Sequence, residues 1–277
     1  MYNLVTAGLA RLRKNWVFWG EMGFLFLLSA VGMLRGVRQS VSLRAEGYVY
    51  YLDDFYFKYA PFLALFVVAF VSLFLGTEYN EGTIRNKLVV GHSRLRVYLS
   101  NYLVCLVACE GFVAVWLLGG MVGIPFLGTW QMGWKGFAIY ALLAVLFTAA
   151  LTGIFVLIAM LSARKSLTAV MAVFVAMVLI LWGSMLYNAL GEPEMVSEMM
   201  LTADGIQMGE PLPNPRYVAG AKRILYQFLV DGLPTGQGIQ MTNEGLGRPL
   251  LSGVASVVLA VFTTAAGIFC FRKKDLR

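Results

Sequence analysis

The stretch Glu78-Tyr79-Asn80-Glu81-Gly82-Thr83-Ile84-Arg85-Asn86-Lys87-Leu88 separates two apolar runs that are each long enough to cross a membrane. A plain connection between two spans needs only a turn and a few polar residues. This one carries two carboxylates, a glycine and two cations ahead of an apolar tip, and Gly91 follows. The pattern predicts a short amphipathic helix at the membrane surface that ends at Gly91, with Ser93 as the N-cap of the next helix.

The composition of the 277-residue chain indicates an integral membrane protein. Apolar residues make up 59% of it and charged residues only 13%, and the mean hydropathy is +0.73. Soluble domains carry roughly 25% charged residues. Runs long enough to span a bilayer, roughly 20 residues each, lie near 16–36, 58–77, 99–127, 136–161, 167–190 and 250–271. We therefore predict an all-α polytopic membrane protein with six transmembrane helices, forming a single transmembrane domain over residues 1–277.

The basic residues are distributed asymmetrically between the two sides of this six-span layout. The net charge of +7 does not come from one patch, so we expect no nucleic-acid partner. Of the 22 basic residues, 13 fall before the first span, within 78–97, at Arg164 and Lys165, and after the last span. The positive-inside rule then places both termini and residues 78–97 in the cytosol, and residues 191–249 outside. The first run is also too long for a signal peptide, so we expect no cleavage there.

Residues 1–15 carry a helical pattern of their own before the first span. The apolar residues Leu4, Val5, Leu9, Leu12 and Trp16 recur at helical spacing, and polar residues occupy the rest of the wheel. This favours an interfacial helix on the inner leaflet. The alternative is an ordinary basic flank that only sets the topology.

The connection 191–249 is the only one large enough for an extramembrane subdomain. Met195–Leu201 and Val218–Val230 have helical, amphipathic patterns, and we predict a turn at Leu233-Pro234-Thr235-Gly236. Because the segment is too small for a large core of its own, we expect it to pack on the outer ends of the spans.

Two carboxylates lie within predicted spans, where a charge is costly and usually faces protein or a water-filled cavity. Glu110 lies about 18 Å along the helix from Tyr98 at 1.5 Å per residue. We interpret it as a cavity wall that contacts substrate, with a polar contact between helices as the alternative. Glu21 lies nearer the inner surface, where it can be solvated or paired with Arg13 or Lys14; a role in the cavity is the second interpretation.

Other polar and small residues in the spans are better explained by packing. Cys105 and Cys109 lie one helical turn apart without further ligands, so we expect buried thiols and no metal. Gly119, Gly120 and Gly123 favour close approach of helices over ligand binding.

Missing motifs exclude most enzyme classes. The chain has no phosphate-loop motif and no His-Glu-x-x-His, and it contains one histidine, His92. A nucleotide-hydrolysing, zinc or histidine-dependent site is therefore not expected in this chain. We expect no catalytic activity, no bound cofactor and no metal. A transporter driven from elsewhere, or a membrane scaffold, remains.

The stretch from Glu78 to Leu88, with Gly91-His92-Ser93-Arg94 and Val97-Tyr98-Leu99-Ser100, resembles the permease subunits of the type-2 ABC exporter family. Those permeases have a carboxylate–aromatic pair, a Gly-Thr-Ile-Arg-Asn-Lys core and a Gly-x-Ser-Arg turn at this place. The six-span layout, the N-terminal helix and the large last outer loop agree with the resemblance, and Leu233-Pro234-Thr235-Gly236-Gln237 resembles a segment before the last span of such permeases.

The resemblance implies a bacterial plasma-membrane permease, as a homodimer or paired with a related permease, driven by two copies of a cytosolic ATPase that holds ATP and Mg. It implies that residues 1–15 form the connecting helix and 78–97 the coupling segment. The coupling residues would be Glu78, Tyr79, Glu81, Gly82, Thr83, Ile84, Arg85, Asn86, Lys87, Leu88 and Arg94. The cargo would be amphipathic, an antimicrobial or cytolytic peptide first and a hydrophobic drug second. The alternative function is a membrane anchor or signalling scaffold that docks a cytosolic protein.

The charge asymmetry makes a testable prediction about orientation. A cysteine introduced at Asp204 or Glu244 should react with a membrane-impermeant thiol reagent added outside intact cells, whereas a cysteine at Lys87 should not. The reverse pattern would contradict the orientation and, with it, the exporter interpretation.

Overall fold

The computed structural model describes residues 1–44, 47, 49–128, 130–162, 165–202, 205–243 and 247–274. In chain order the helices are α1 (Tyr2–Arg13), α2 (Trp16–Arg44), α3 (Asp53–Tyr56), α4 (Leu63–Asn80), α5 (Thr83–Val89), α6 (Arg94–Gly120), α7 (Ile124–Leu127), α8 (Gly133–Leu161), α9 (Lys165–Gly191), α10 (Gly220–Gly232), α11 (Pro234–Thr242) and α12 (Pro249–Lys273). Two strands, β1 (Met195–Thr202) and β2 (Gly205–Pro213), lie between α9 and α10.

Within these ranges, six helical segments are long and apolar enough to cross a membrane. They are α2, the run from α3 to α4, the run from α6 to α7, α8, α9 and α12. The protein is thus an all-α, multi-pass membrane protein, which confirms the predicted fold class. We call the end that carries α1, α5 and the last turn of α12 the basic end, and the end that carries β1 to α11 the opposite end.

The first span is longer than predicted. The expected outer connection began at residue 37, but α2 continues to Arg44. The Phe55 ring of α3 packs where the additional turns begin, since a Cβ at Gly36 would be 2.4 Å from Cγ of Phe55, and Val37 and Ser40 in those turns are buried. Tertiary packing by a neighbouring segment therefore extends a helix past the point at which its apolar run ends.

Helix α1 packs against α6, in addition to its position at the membrane surface. Leu4 and Leu12 are buried and Val5 and Leu9 are partly buried against the core, as the helical pattern predicts. Trp16 is 82% exposed and does not share this face. The reason is a break between the helices, where Asn15 Oδ1 accepts a hydrogen bond from Phe18 N at 3.0 Å and starts α2.

Small residues bring α2, α3 and α6 into close contact. A Cβ at Gly119 would lie 2.8 Å from the backbone oxygen of Phe26, and a Cβ at Gly120 would lie 2.6 Å from the Tyr56 ring. The Ser29 hydroxyl donates to the Trp116 carbonyl oxygen at 2.7 Å across the same contact. The packing interpretation of these glycines is confirmed.

The prediction of a helix at Met195–Leu201 was wrong. These residues form β1, which pairs antiparallel with β2, from Met195 opposite Pro213 to Thr202 opposite Gly205. A seven-residue helix is too short to be stable by itself, and the return strand offers backbone partners instead. Pro211 and Pro213 are tolerated in β2 because both strands of a two-stranded ribbon are edge strands.

Helices α10 and α11 pack onto the spans at the opposite end. Pro234 begins α11, so the predicted turn at Leu233–Gly236 is only the junction between two helices. The Thr235 hydroxyl donates to the Leu179 carbonyl oxygen at 2.7 Å, and Gln237 Nε2 donates to the Ser252 carbonyl oxygen at 3.0 Å. Leu179 precedes the end of α9 by twelve residues, so α11 reaches about 18 Å into the bundle.

A buried carboxylate fixes the junction between α10, α11 and α12. Asp231 is fully buried, and its Oδ1 accepts from Gln227 Nε2 at 2.9 Å and from Gln240 Nε2 at 3.2 Å. Its Oδ2 lies 3.0 Å from Arg248 Nε. The carboxylate thus joins α10 and α11 to Arg248, the residue before α12, although Oε1 of Gln240 is buried without a hydrogen-bond partner among the described residues.

The topology test can be sharpened with the structure. Asp204 and Glu244 lie outside the described residues, and Lys87 is only 15% exposed and ion-paired. Glu210 in β2 and Arg85 in α5 are both exposed. In a Cys270→Ala background, cysteine at Glu210 should label from outside and cysteine at Arg85 only after permeabilisation.

Candidate functional site

The chain leaves α4 and enters α5 through a glycine in the left-handed region. Glu81 closes α4, and Gly82 has φ 68°, a conformation that costs L-residues with a Cβ roughly 1 kcal/mol or more. Helix α5 then runs for seven residues from Thr83, and Gly91 follows with φ 97°. Ser93 Oγ accepts from Arg96 N at 3.4 Å and starts α6. The predicted short helix, its glycine stop and its serine cap are all confirmed.

A buried carboxylate at the end of α4 holds this region together. Glu78 is 2% exposed. Its Oε1 lies 2.7 Å from Arg11 Nη1 and 2.7 Å from Lys87 Nζ. Asn101 Nδ2 donates to Oε2 at 3.0 Å, and Lys87 Nζ also donates to Asn101 Oδ1 at 3.2 Å. One carboxylate thus joins α1, α4, α5 and α6, and we call these four residues the Glu78 cluster.

Arg11 has a second contact with the wall of α4. Its guanidinium carbon lies 3.8 Å from the centre of the Phe74 ring, and Nη2 donates to the Phe74 carbonyl oxygen at 3.3 Å. The ring face attracts the cation, and burial increases that attraction. Arg11 and Asn101 were not among the predicted site residues. A cation on the polar side of α1 and an amide inside an apolar helix were the available signals.

Lys274, the last described residue, is joined to Tyr79 and to the end of α8. The Tyr79 hydroxyl donates to the Met160 carbonyl oxygen at the end of α8. Lys274 Nζ donates to the Tyr79 hydroxyl at 3.2 Å and to the carbonyl oxygens of Met160 and Ser162 at 3.1 and 3.3 Å. Burial lowers the pKa of Lys274 to about 8.

Arg94 closes the end of the last span. Its Nη1 lies 3.1 Å from the carbonyl oxygens of Phe271 and Arg272, and it also contacts the carbonyl oxygen of Lys274. The last carbonyls of a helix lack partners and carry partial negative charge, so a guanidinium there both bonds them and neutralises the dipole. Arg94 is therefore engaged within the chain at the α12 terminus.

Helix α5 has one buried side and one exposed side. Ile84 is 1% exposed, and Leu88 packs against the core. Arg85 and Asn86 are exposed, and Val89 and Val90 are 78% and 77% exposed. We call these four exposed residues the α5 tip. It combines one cation, one amide and two apolar side chains on a helix that is fixed from behind.

The resemblance implies one set of coupling residues, but in the structure some of them are buried in the chain's own contacts and others are exposed. Glu78 and Lys87 are among the predicted coupling residues, but they pair with each other and are largely buried. Glu81 and Arg85, also among them, do not lie on one helix. The left-handed Gly82 separates their helices, and Glu81 instead lines a cleft beside α1 and α2.

Glu21 and Glu110 lie at one depth, deeper than the Glu78 cluster. Gly111 faces Met22, since a Cβ at Gly111 would lie 3.6 Å from the Met22 sulfur. Glu110 follows Asn101 by nine residues, about 14 Å along α6. Glu21 is thus not nearer the surface than Glu110, and within the described residues it has no ion pair with Arg13 or Lys14.

Glu110 has no polar contact with a neighbouring helix, which was the alternative interpretation for this residue. Both oxygens of Glu110 and Oε2 of Glu21 are buried without a hydrogen-bond partner in the described part of the chain. A buried unpartnered carboxyl in a membrane span is costly, so these two positions are the ones that packing does not explain.

The described residues contain no group of three or more His, Cys, Asp or Glu side chains that could hold a metal ion. The arrangement instead offers a short helix, held on one side and exposed on the other, and two carboxyls with buried, unpartnered oxygens in the spans. No protein-family model matches the chain, and no curated protein matches it significantly.

Removing the charge of Glu78 should destabilise the protein. Glu78→Gln leaves Arg11 and Lys87 close together around a neutral amide, which we expect to cost on the order of 3 kcal/mol and to lower Tm by roughly 5–10 °C. Thermal unfolding in detergent measures the change. Glu81→Gln is the matched control, with the same charge change at an exposed site and an expected effect within about 0.5 kcal/mol. Equal shifts in both variants would contradict the structural role of Glu78.

The contribution of Lys274 to stability should increase at alkaline pH, because loss of its proton removes the cost of burying a charge. The pKa of Lys274 is lowered to about 8, so below that pH its charge is disfavoured in the folded state. The unfolded chain keeps its proton up to about pH 10.4, so stability rises with pH above about 8. The difference in Tm between wild type and Lys274→Met should therefore grow in favour of wild type from pH 7.5 to pH 9.5. A constant difference would count against this linkage.

Proposed function

We propose that this protein is the permease subunit of an ATP-driven exporter in a bacterial plasma membrane, with both termini and α5 in the cytosol. Two copies would enclose the transport pathway, and two copies of a separate ATPase would dock on the α5 tips. The observation that carries the proposal is the two-sided environment of α5. One side of this short helix packs against the bundle, and the other side is exposed and can bind a partner.

The inner side of α5 is held firmly enough to transmit a displacement from a bound ATPase to the spans. Lys87 reaches Glu78 of α4 and Asn101 of α6, and Ile84 is buried beneath the helix. A push on α5 would therefore act on both flanking spans at once. A loop that only set topology would need the cations but not this buried carboxylate between them.

The outer side of α5 has the composition of a small docking surface. Val89 and Val90 can enter an apolar pocket, and Arg85 supplies a charge that orients the partner and speeds encounter. Exposed apolar side chains that project past a charged surface are costly in water, and binding removes that cost.

The cargo proposal depends on Glu21 and Glu110. In an apolar pathway the two carboxyls could contact the cationic groups of an amphipathic peptide, and we rank such a peptide ahead of a hydrophobic drug. A scaffold that docks a cytosolic protein is the second candidate, since the α5 tip would serve that role equally. Only the exporter needs carboxyls inside the spans.

Substitution at the α5 tip tests the docking proposal. The double variant Arg85→Ala, Val89→Ala should fold and insert, because neither side chain has a hydrogen bond or ion pair among the described residues. Binding to candidate ATPases from the same genome should weaken roughly tenfold, and it should become less dependent on salt. Pull-down at low and high salt, with export measured in parallel, gives the result.

The matched control is the double variant Lys222→Ala, Met195→Ala at the opposite end, which removes one cation and one exposed apolar side chain. It should bind the ATPase as wild type does. Unchanged docking and export in the α5 variant would refute the coupling role. Loss of docking without any effect of cargo on ATP hydrolysis would favour the scaffold.

Substitution of Glu110 tests the cargo proposal. Glu110→Gln removes a buried charge that has no partner, so folding should not be weakened, while basal ATP hydrolysis or cargo preference should change at least threefold. Thr263→Val, at another buried polar position of the spans, controls for general packing effects. A variant with lower Tm and unchanged transport would assign Glu110 to packing.

A further inference from the structure

A cleft of about 580 Å³ opens at the basic end, where α1 meets α2 beside α4 and the start of α9. Its lining comprises Arg11, Lys14, Asn15, Trp16, Val17, Phe70, Leu73, Phe74, Thr77, Glu81 and Lys165. A neighbouring cleft of about 560 Å³ shares Leu73 and Lys165 and continues between α4 and α9. Neither cleft includes the α5 tip, Glu21 or Glu110.

The cleft changes from polar to apolar with depth. Thr77 and Phe70 are seven residues apart on α4, so the lining spans about 10 Å along the helix. The charged side chains lie at the surface end with Thr77, and Leu73, Phe74 and Phe70 follow deeper in the membrane. A ligand that fits must have an ionic head and a hydrocarbon tail, oriented with its head at the membrane surface.

The charge at the mouth of the cleft favours an anion. Arg11 is bound to Glu78, but Lys14 and Lys165 have no carboxylate within 4 Å among the described residues. Glu81 is the single acid in the lining. Two free cations against one carboxylate leave a net positive mouth, and cations at a membrane surface attract anionic headgroups.

Close packing fixes the position of Lys165. A Cβ at Gly76 would lie 2.9 Å from Cγ of Lys165 and 3.3 Å from its Cα. The lysine stem therefore lies against α4, and the first turn of α9 forms one wall of the cleft. A cation held in this way presents its charge with less loss of side-chain freedom than a free surface lysine.

We propose that this cleft binds one anionic phospholipid of the inner leaflet. Its phosphate lies between Lys14 and Lys165, and one acyl chain lies along Phe70, Leu73 and Phe74. The bound lipid joins α1 and α2 to α4 and α9, and so bridges the central helices to the span that begins at Lys165. This site is a property of the isolated chain and does not depend on the exporter proposal.

Native mass spectrometry of the full-length protein in detergent tests the site, with added phosphatidylglycerol, phosphatidylcholine or inorganic phosphate. Wild type should retain phosphatidylglycerol at least tenfold more tightly than phosphatidylcholine. In the double variant Lys14→Gln, Lys165→Gln, the affinity for phosphatidylglycerol should fall roughly tenfold or more. Its affinity for phosphatidylcholine should be unchanged. Glu81→Gln should strengthen phosphatidylglycerol binding, which a loss of folding cannot mimic.

Two further variants separate the headgroup from the acyl chain. The control Arg13→Gln, Lys273→Gln removes the same charge outside the cleft and should keep wild-type affinity. Leu73→Trp leaves every charge in place and fills the apolar part, so it should weaken the retention of phosphatidylglycerol. Equal losses in the cleft and control variants, full retention by Leu73→Trp, or displacement of lipid by millimolar inorganic phosphate would each overturn the proposal.

Discussion

The arrangement of the basic end depends on one buried carboxylate with two cations. Glu78 alone at the end of an apolar helix would be costly to bury, and its attraction to Arg11 and Lys87 offsets that cost only with good geometry and saturated hydrogen bonds. Both cations lie 2.7 Å from Oε1, and Asn101 Nδ2 donates to Oε2, whereas Nε of Arg11 is buried without a hydrogen-bond partner among the described residues. The consequence concerns the positions of the surrounding helices. The carboxylate cannot stay buried unless α1, α5 and α6 bring their polar groups to the same point, and this requirement sets the place of α1 and α5.

The same requirement explains why charged residues near one another in the sequence have different roles. Glu78 and Glu81 are three residues apart in one stretch, yet Glu78 is buried in the cluster and Glu81 is exposed at a cleft. The left-handed Gly82 turns the chain so that α5 folds back and Lys87 returns to Glu78. Arg85 is then directed outward because it lies two positions before Lys87 on the helix, on a different face. Two acids followed by two bases therefore divide into an inner pair, Glu78 and Lys87, and an outer pair, Glu81 and Arg85.

Local signals predicted most of the fold, and contacts between distant residues account for what they missed. Apolar runs, the glycine stop at Gly91 and the cap at Ser93 are local, and each was found. The failures involve partners far apart in sequence. The extension of α2 depends on α3, the strand β1 depends on β2, and the inward position of Lys87 depends on Glu78 and Asn101. Arg11, Asn101 and Lys274 were missed because nothing in their own neighbourhoods indicates that they meet near the end of α4.

The burial of each span shows how α5 is connected to the rest of the bundle. The span that contains α4 is 61% buried over its most apolar window, whereas the windows of α9 and α12 are 17% and 22% buried. The peripheral helices therefore present most of their surface to lipid or to a second copy of the chain, and α4 occupies the centre. Because α5 is joined to α4 through both the chain and the Glu78 cluster, a displacement imposed at the α5 tip would reach the most central helix first. In close-packed interiors such displacements move whole elements between discrete arrangements, and the proposed coupling role of α5 depends on this property.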